Sequence, residues 1–216
     1  MISYTKKEEL INTWSHAAGI AIGIVVGIGF LVWCRRADDN WATTSIILYL
    51  AGMLGSYIAS TTYHAMPQHW QAREVLRRFD HAAIYWHIAG SYSPITLTAM
   101  RETSMWGWGL FCFVWLCAIA GTVMSFINLK EHSYVETACY VLMGLSVLVA
   151  FKPLMDCVSP IAIGWLIAEG VMYITGAAFY AVGPHRPYAH SAFHFFVLAG
   201  SLCHIICVWD VLMQYL

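Results

Sequence analysis

Charged residues are scarce in this chain. Asp, Glu, Lys and Arg make up 11% of its 216 residues, whereas 60% of the residues are hydrophobic. A soluble domain usually carries about a quarter charged residues. The composition therefore excludes an ordinary soluble domain, and the net charge of −1 gives no sign of a nucleic-acid partner. We expect one integral membrane domain over residues 1–216, with no room for a separate soluble module.

The chain also lacks the cysteine spacing of a disulfide framework or a sulfur metal site. Its seven cysteines include no C-x-x-C pair, and all lie in or beside apolar segments. Their expected role is that of small buried hydrophobic residues. The first apolar run ends in Trp33-Cys34-Arg35-Arg36 without a small-residue cleavage site. We therefore expect a retained membrane span there and not a signal peptide.

Seven apolar segments approach the length of about 20 residues that a helix needs to cross a bilayer. They are His16–Trp33, Thr43–Tyr63, Asp80–Met100, Met105–Ile127, Val135–Phe151, Ile161–Val182 and His190–Met213. This pattern predicts an all-α membrane protein, a bundle of seven transmembrane helices. Between the second and third segments, Trp70, Leu76 and Phe79 alternate with arginines. That alternation predicts a short amphipathic helix in the headgroup region.

Basic residues in the joints between the segments predict the orientation. If the N-terminus is inside, seven Lys and Arg residues lie on the inner side and four on the outer side. The positive-inside rule then favours an N-terminus inside and a C-terminus outside. We expect a multi-pass protein of the cell membrane, that is, the inner or plasma membrane.

Polar side chains at the ends of these segments are the strongest functional signal. Ser60-x3-His64 ends the second segment, Asp80 begins the third, and His190-x3-His194 begins the seventh. Residues at positions i and i+4 share one helix face, with Cβ atoms about 5–6 Å apart. Ionisable groups inside membrane spans are functional-site candidates. Alternation of the spans places all five residues on the same, cytoplasmic, side.

Three of these residues have the chemistry of a metal site. His190 and His194 can hold one ion from consecutive helical turns, and His64 completes the set. Three protein ligands that leave a fourth position open are typical of catalytic zinc. Imidazole suits Zn, Cu, Fe or Ni, and Zn²⁺ is favoured because nothing in the sequence indicates redox chemistry. The alternative is that these are buried histidines paired with the backbone or with each other.

Further polar residues fall beside the three histidines. Asp80 is interpreted as a fourth ligand through water, or as the base that takes a proton from water. Ser60 bonds Asp80 or the water and orients it, or alternatively bonds a carbonyl of its own helix. Glu9-x2-Asn12-x3-His16 lies on one face of the first helix at the same side. His16 either orients Asp80 or the metal site, or caps the first span.

Together these motifs resemble the hemolysin III group of bacterial membrane proteins, which belongs with the progestin and adipoQ receptors and alkaline ceramidases. The resemblance extends over nearly the whole chain, and its matching motifs are residues 9–16, 59–64, 79–81, 88–94, 173–180 and 190–194. The resemblance implies seven helices with the N-terminus inside and a zinc ion near the cytoplasmic face. By position, His64, His190 and His194 correspond to its ligands, and Asp80 and Ser60 to its water-associated residues.

Two functions follow from the resemblance. In the ceramidase and adiponectin-receptor branches, the arrangement is associated with hydrolysis of a lipid amide. This implies an intramembrane zinc hydrolase acting on a membrane lipid, with Asp80 and Ser60 as catalytic residues. The alternative is a non-enzymatic protein, either a pore-forming cytolysin or a protein of membrane homeostasis, with structural zinc. Glu169, near the middle of the sixth segment, departs from the pattern, since a small or apolar residue is expected there.

Overall fold

The computed structural model describes residues 4–103, 105–127, 134–183 and 186–216, which fold almost entirely into helices. The described residues form α1 (Lys6–Arg36), α2 (Asn40–Ala65), α3 (Ala72–Pro94), α4 (Met105–Ile127), α5 (Tyr134–Met155), α6 (Pro160–Val182) and α7 (Ala189–Tyr215). One π-helical turn, Ile95–Ala99, continues α3. A 3₁₀ segment, Ser146–Ala150, interrupts α5. The protein is therefore an all-α bundle.

Side-chain caps define where several helices begin. Thr5 and Glu8 form a reciprocal capping box at the start of α1, in which each side chain accepts a hydrogen bond from the other residue's backbone N–H. Asp39 caps α2, and Ser159 caps α6 with Pro160 at its first position. Because of its cap, α1 begins well before the first predicted apolar segment.

Six of the described helices are long and apolar enough to cross a membrane, namely all except α3. The first third of α3 is polar, with Arg73, Glu74, Arg77, Arg78 and Asp80, which lowers its hydropathy. The stretch that follows, residues 81–100, contains no Asp, Glu, Lys or Arg. Six helices are thus shown to be membrane-capable, and the chain is a multi-pass membrane protein.

The predicted separate amphipathic helix between the second and third segments is wrong. Leu76 and Phe79 belong to α3 itself, and Trp70 precedes that helix. The reason is the burial of Arg73, which is only 1% exposed and pairs with Glu9 of α1. This ion pair holds the start of α3 against the bundle, so the segment continues into the span.

Close helix packing positions the interior of the bundle. α2 packs between α1 and α3, whereas α7 packs against both α6 and α1. A Cβ atom on Gly52 of α2 would lie 2.2 Å from the Trp86 carbonyl oxygen of α3, so only glycine permits this approach. All seven cysteines are free thiols, in agreement with the absence of a disulfide pattern.

Candidate metal centre

Three histidines meet at one end of the bundle. His64 lies at the end of α2, and His190 and His194 lie in the first two turns of α7. All three are buried, and one ligand nitrogen of each lies within 4.8 Å of the others. His190 Nε2 is 3.3 Å from His64 Nε2 and 3.1 Å from His194 Nε2. The fold therefore brings together three residues that are up to 130 positions apart in the sequence.

Hydrogen bonds made by the Nδ1 atoms of His64 and His194 determine whether their Nε2 atoms, which face the centre, carry a proton. His64 Nδ1 donates to Glu9 Oε2 at 2.7 Å. His194 Nδ1 lies 3.3 Å from Ser15 Oγ. Because the Ser15 hydroxyl donates its own proton to the Asn12 carbonyl, its oxygen accepts from His194 Nδ1. A proton fixed on Nδ1 leaves the Nε2 of each neutral ring as a lone pair facing the centre.

These lone pairs favour a shared cation over hydrogen bonds among the histidines. A single N–H on His190 Nε2 can donate to only one of the two neighbouring nitrogens, which leaves the other contact without a proton. A tetrahedral Zn²⁺ with Zn–N bonds of about 2.0–2.1 Å places its nitrogen ligands about 3.3–3.4 Å apart. The observed 3.1 and 3.3 Å separations are close to this spacing. The three residues therefore fit a metal ion that prefers imidazole.

Glu9 connects the centre to two other helices. Its carboxylate accepts from His64 Nδ1, from the Arg73 guanidinium and, at 3.1 Å, from Gln68 Nε2. Arg73 also lies over the Tyr63 ring, 4.5 Å from its centroid. The orientation of the His64 ring is thus tied to an ion pair between α1 and α3.

α1 also contacts the two histidines of α7. Asn12 Oδ1 accepts a 2.6 Å hydrogen bond from the Ser191 hydroxyl, and the His16 ring stacks on His194 with centroids 3.9 Å apart. Glu9, Asn12 and His16 thus face the centre, as their spacing predicts. Their functional roles remain predictions.

Tyr4 and Ser15 also touch the centre, although sequence reasoning did not single them out. The Tyr4 ring stacks on His190 at 4.7 Å, and burial raises the pKa of its phenol far above the usual value, so the hydroxyl stays neutral. Ser15 lies beside His194 Nδ1. Tyr4 precedes α1, where no periodicity marks it. Ser15 sits next to His16, but its neighbour on α7 is 179 positions away.

Asp80 and Ser60 lie together next to His64. Ser60, His64 and His81 are neighbours of the Asp80 carboxylate. Ser60 and Asp80 line the same cavity, and Asp80 is partly exposed. The Asp80 carboxylate is therefore accessible to a molecule in this cavity, and the two interpretations of Ser60 remain predictions.

The cavity extends from the metal centre into the bundle and has a volume of about 430 Å³. Its upper wall includes Tyr4 and Asp80, and its far end is formed by apolar residues such as Leu110. Ile167 and Val171 of α6 line it and are 55% and 53% exposed. The wall of the cavity formed by α6 is therefore partly open.

The described histidines deeper in the helices each have a partner. His81 Nδ1 pairs with Glu136 at 3.1 Å, His87 Nε2 with the Ser201 hydroxyl at 3.3 Å, and His204 Nδ1 with Glu169 at 2.7 Å. The last pair accounts for the unexpected acid in the sixth predicted segment. His69 is exposed, and His132 and His185 lie outside the described residues.

Comparison with known proteins gives the same assignment along the chain. A family model described as "Haemolysin-III related" matches residues 4–205. The Hemolysin-3 homolog of Bacillus subtilis (strain 168) is 31% identical over 205 residues, covering 95% of this chain and 94% of its own length. Hemolysin-3 of Bacillus cereus is 31% identical over 202 residues, with 94% and 90% covered. The ADIPOR-like receptor IZH2 of Saccharomyces cerevisiae is 25% identical over 230 residues, with 91% and 69% covered.

Proposed function

The chain belongs to the haemolysin III family, and we propose that it is a zinc-dependent intramembrane hydrolase of a lipid or lipid-like amide. The observation that carries this proposal is a cluster of three histidines, two of which, His190 and His194, line a cavity together with Asp80 and Ser60. A structural zinc site usually has four protein ligands, whereas a catalytic site has three and an open position. Among the described residues, the group that could hold a metal ion consists of three histidines and includes no fourth ligand.

Each polar residue has a definite part in this proposal. His64, His190 and His194 hold the ion, which when bound supplies Lewis-acid chemistry toward a carbonyl and makes water more acidic. Asp80 accepts the proton of the attacking water and returns it to the leaving amine nitrogen. Ser60 keeps the Asp80 carboxylate oriented through a hydrogen bond.

The cavity supports a lipid as the molecule that is bound. Its walls are mostly apolar, and we place its entrance beside α6, where lining side chains are half exposed and a lipid enters without crossing water. Small-molecule sites of this kind have apolar walls and a few polar groups that fix orientation. In the proposed complex, the amide lies at the metal centre and the acyl chain fills the deeper part of the cavity.

The topology belongs to the same proposal. We count α3 as a seventh span, because residues 81–100 carry no Asp, Glu, Lys or Arg and follow directly on its polar start. With seven spans and the excess of Lys and Arg on the N-terminal side, the N-terminus and the metal centre are cytoplasmic and the C-terminus is external.

One observation favours a second function, a non-enzymatic membrane protein with structural zinc. Asp80 is a neighbour of His64, and its carboxylate would close the site if it bound the ion as a fourth ligand. In that case the metal would link α2, α3 and α7 and stabilise their packing.

Metal removal and restoration tests the proposed function. We expect purified protein to contain about one zinc per chain and to hydrolyse members of a panel of fluorescent lipid amides in detergent micelles. Chelator should abolish hydrolysis and added Zn²⁺ should restore it, whereas His194→Ala should have neither zinc nor activity. His69→Ala is the matched control because that side chain is exposed and is not part of the histidine cluster. Bound zinc with no turnover on any amide would support the structural function instead.

A further inference from the structure

A second polar cluster lies in the same cavity, away from the metal centre. Glu169 of α6 and His204 of α7 are buried, and His204 Nδ1 is 2.7 Å from Glu169 Oε2. Both residues line the cavity. His204 follows His194 by nearly three helical turns, roughly 15 Å along the axis. This distance places the pair deep in the membrane, where the proposed hydrolysis has no use for it.

The pair has unused hydrogen-bonding capacity. Among the residues that the structure describes, His204 Nε2 is buried without a hydrogen-bond partner, and the contact of Glu169 with His204 uses only its Oε2 atom. The Tyr49 hydroxyl, whose ring centroid is 5.1 Å from that of His204, also has none. Buried polar groups in native proteins almost always have partners. The open groups around this pair therefore indicate that a further polar group is bound there.

Several hydroxyl groups cluster around Ser201, which lies one turn before His204 on α7. Ser201 Oγ receives a 2.7 Å hydrogen bond from the Tyr57 hydroxyl and lies 3.1 Å from the Tyr173 hydroxyl. His87 Nε2 lies 3.3 Å from the same oxygen. Tyr173 is one turn after Glu169 on α6, and it lines the cavity together with His87 and the Glu169–His204 pair, so these groups form one polar patch in its wall.

The depth of the pair limits what binds there. An ionic ligand deep in the membrane is costly. A hydroxyl carries no charge and both donates and accepts hydrogen bonds. It therefore pairs with Glu169 Oε1 or His204 Nε2, whichever of them carries a proton.

We propose that the Glu169–His204 pair binds a hydroxyl group on the acyl chain of a lipid whose polar head lies at the metal centre. This deepens the proposed function by naming the substrate class, a hydroxylated lipid, and it rests on that function for the position of the head. The roughly 15 Å between the two sites is a distance that part of an extended long acyl chain can cover. The pair thus distinguishes hydroxylated chains from plain ones.

Competition between two fatty acids tests this inference on the intact, zinc-loaded protein. Ricinoleate and oleate share chain length and double bond and differ in one mid-chain hydroxyl. We expect ricinoleate to displace a bound fluorescent fatty acid at a concentration about three- to tenfold lower than oleate, the scale of one net hydrogen bond. Equal affinities of the wild-type protein for the two acids would overturn the proposal, whatever any variant does.

The double variant Glu169→Met/His204→Phe tests whether the preference for ricinoleate over oleate arises at this pair. Replacing both partners by apolar groups leaves no unpaired group between them, so the fold should survive. We expect it to bind oleate like the wild type and to lose its preference for ricinoleate; a preference that persists would refute the assigned site. Ser201→Ala is a milder change in the same patch and should reduce the preference if the double variant does not fold.

The zinc dependence of the same assay separates this inference from the proposed function. If the hydroxyl site is wrong but the metal site is right, ricinoleate and oleate bind equally, and chelator weakens both. If the metal site is wrong but the hydroxyl site is right, ricinoleate binds more tightly, and chelator changes neither affinity.

Discussion

Replacing Glu9 by Gln should weaken metal binding although Glu9 is not a ligand. Its carboxylate accepts the hydrogen bond from His64 Nδ1 at 2.7 Å and pairs with Arg73. Glutamine has nearly the same shape but carries no charge, so it holds the His64 ring less firmly and makes its Nε2 a poorer donor to the metal.

The size of the effect follows from these two contacts. Loss of a carboxylate behind a histidine ligand typically lowers metal affinity 10- to 100-fold, which corresponds to about 1.4–2.7 kcal/mol. Arg73 is 1% exposed and loses its charged partner, which costs about 3–5 kcal/mol in a buried pair. Arg73 keeps its contacts with the Met66 carbonyl and the Tyr63 ring. We therefore expect the free energy of unfolding to fall by about 3 kcal/mol, the lower end of that range.

Two readouts separate the metal effect from the stability effect. Zinc affinity is measured by competition with a chromophoric chelator, and stability by thermal unfolding with and without zinc. Glu9→Gln/Arg73→Met should recover much of the stability but not the zinc affinity, because only the unpaired charge has been removed. Glu102→Gln is the matched control, since that side chain is 76% exposed in the loop after α3. Wild-type zinc affinity in Glu9→Gln would refute the assigned role of Glu9.

Three further predictions concern the ligands, the deep acid and the topology. His64→Ala and His194→Ala should each lose most of the bound zinc in elemental analysis, while His69→Ala keeps it; equal metal content in all three would remove the site as drawn. Glu169→Gln should keep a full complement of zinc, because its partner His204 lies roughly 15 Å from His194, and loss of zinc would contradict that separation. Reporter fusions should place the N-terminus in the cytoplasm and the C-terminus outside, and both ends on one side would rule out seven spans.

Local spacing was enough to predict which residues meet at the candidate site. His190 and His194 share a helix face because they are four positions apart. His64 and Asp80 could be placed with them because each stands at a span end that alternation puts on the same side. The same argument correctly placed Glu9 near the histidines. In a membrane protein, depth and side follow from the order of the spans.

Contacts between distant segments could not be predicted in this way. Arg73 is read from sequence as a headgroup residue, yet its ion pair with Glu9 buries it and makes the start of α3 part of the bundle. Glu169 has no local partner, and His204 is 35 positions away on the facing helix. Which faces of two helices meet depends on three-dimensional packing, such as the close approach at Gly52, and no periodicity within one helix specifies it.

Turnover per bound zinc in Asp80→Asn tests the central claim most directly. Asparagine keeps the size of the side chain and its capacity to accept a hydrogen bond from Ser60, but it cannot accept a proton at neutral pH. If Asp80 is the base, zinc stays bound through the three histidines, and hydrolysis of a lipid amide per zinc falls about a hundredfold or more. Retained zinc with undiminished turnover would contradict the role of Asp80. Loss of zinc together with a lower melting temperature would show that Asp80 is a fourth ligand of a structural ion.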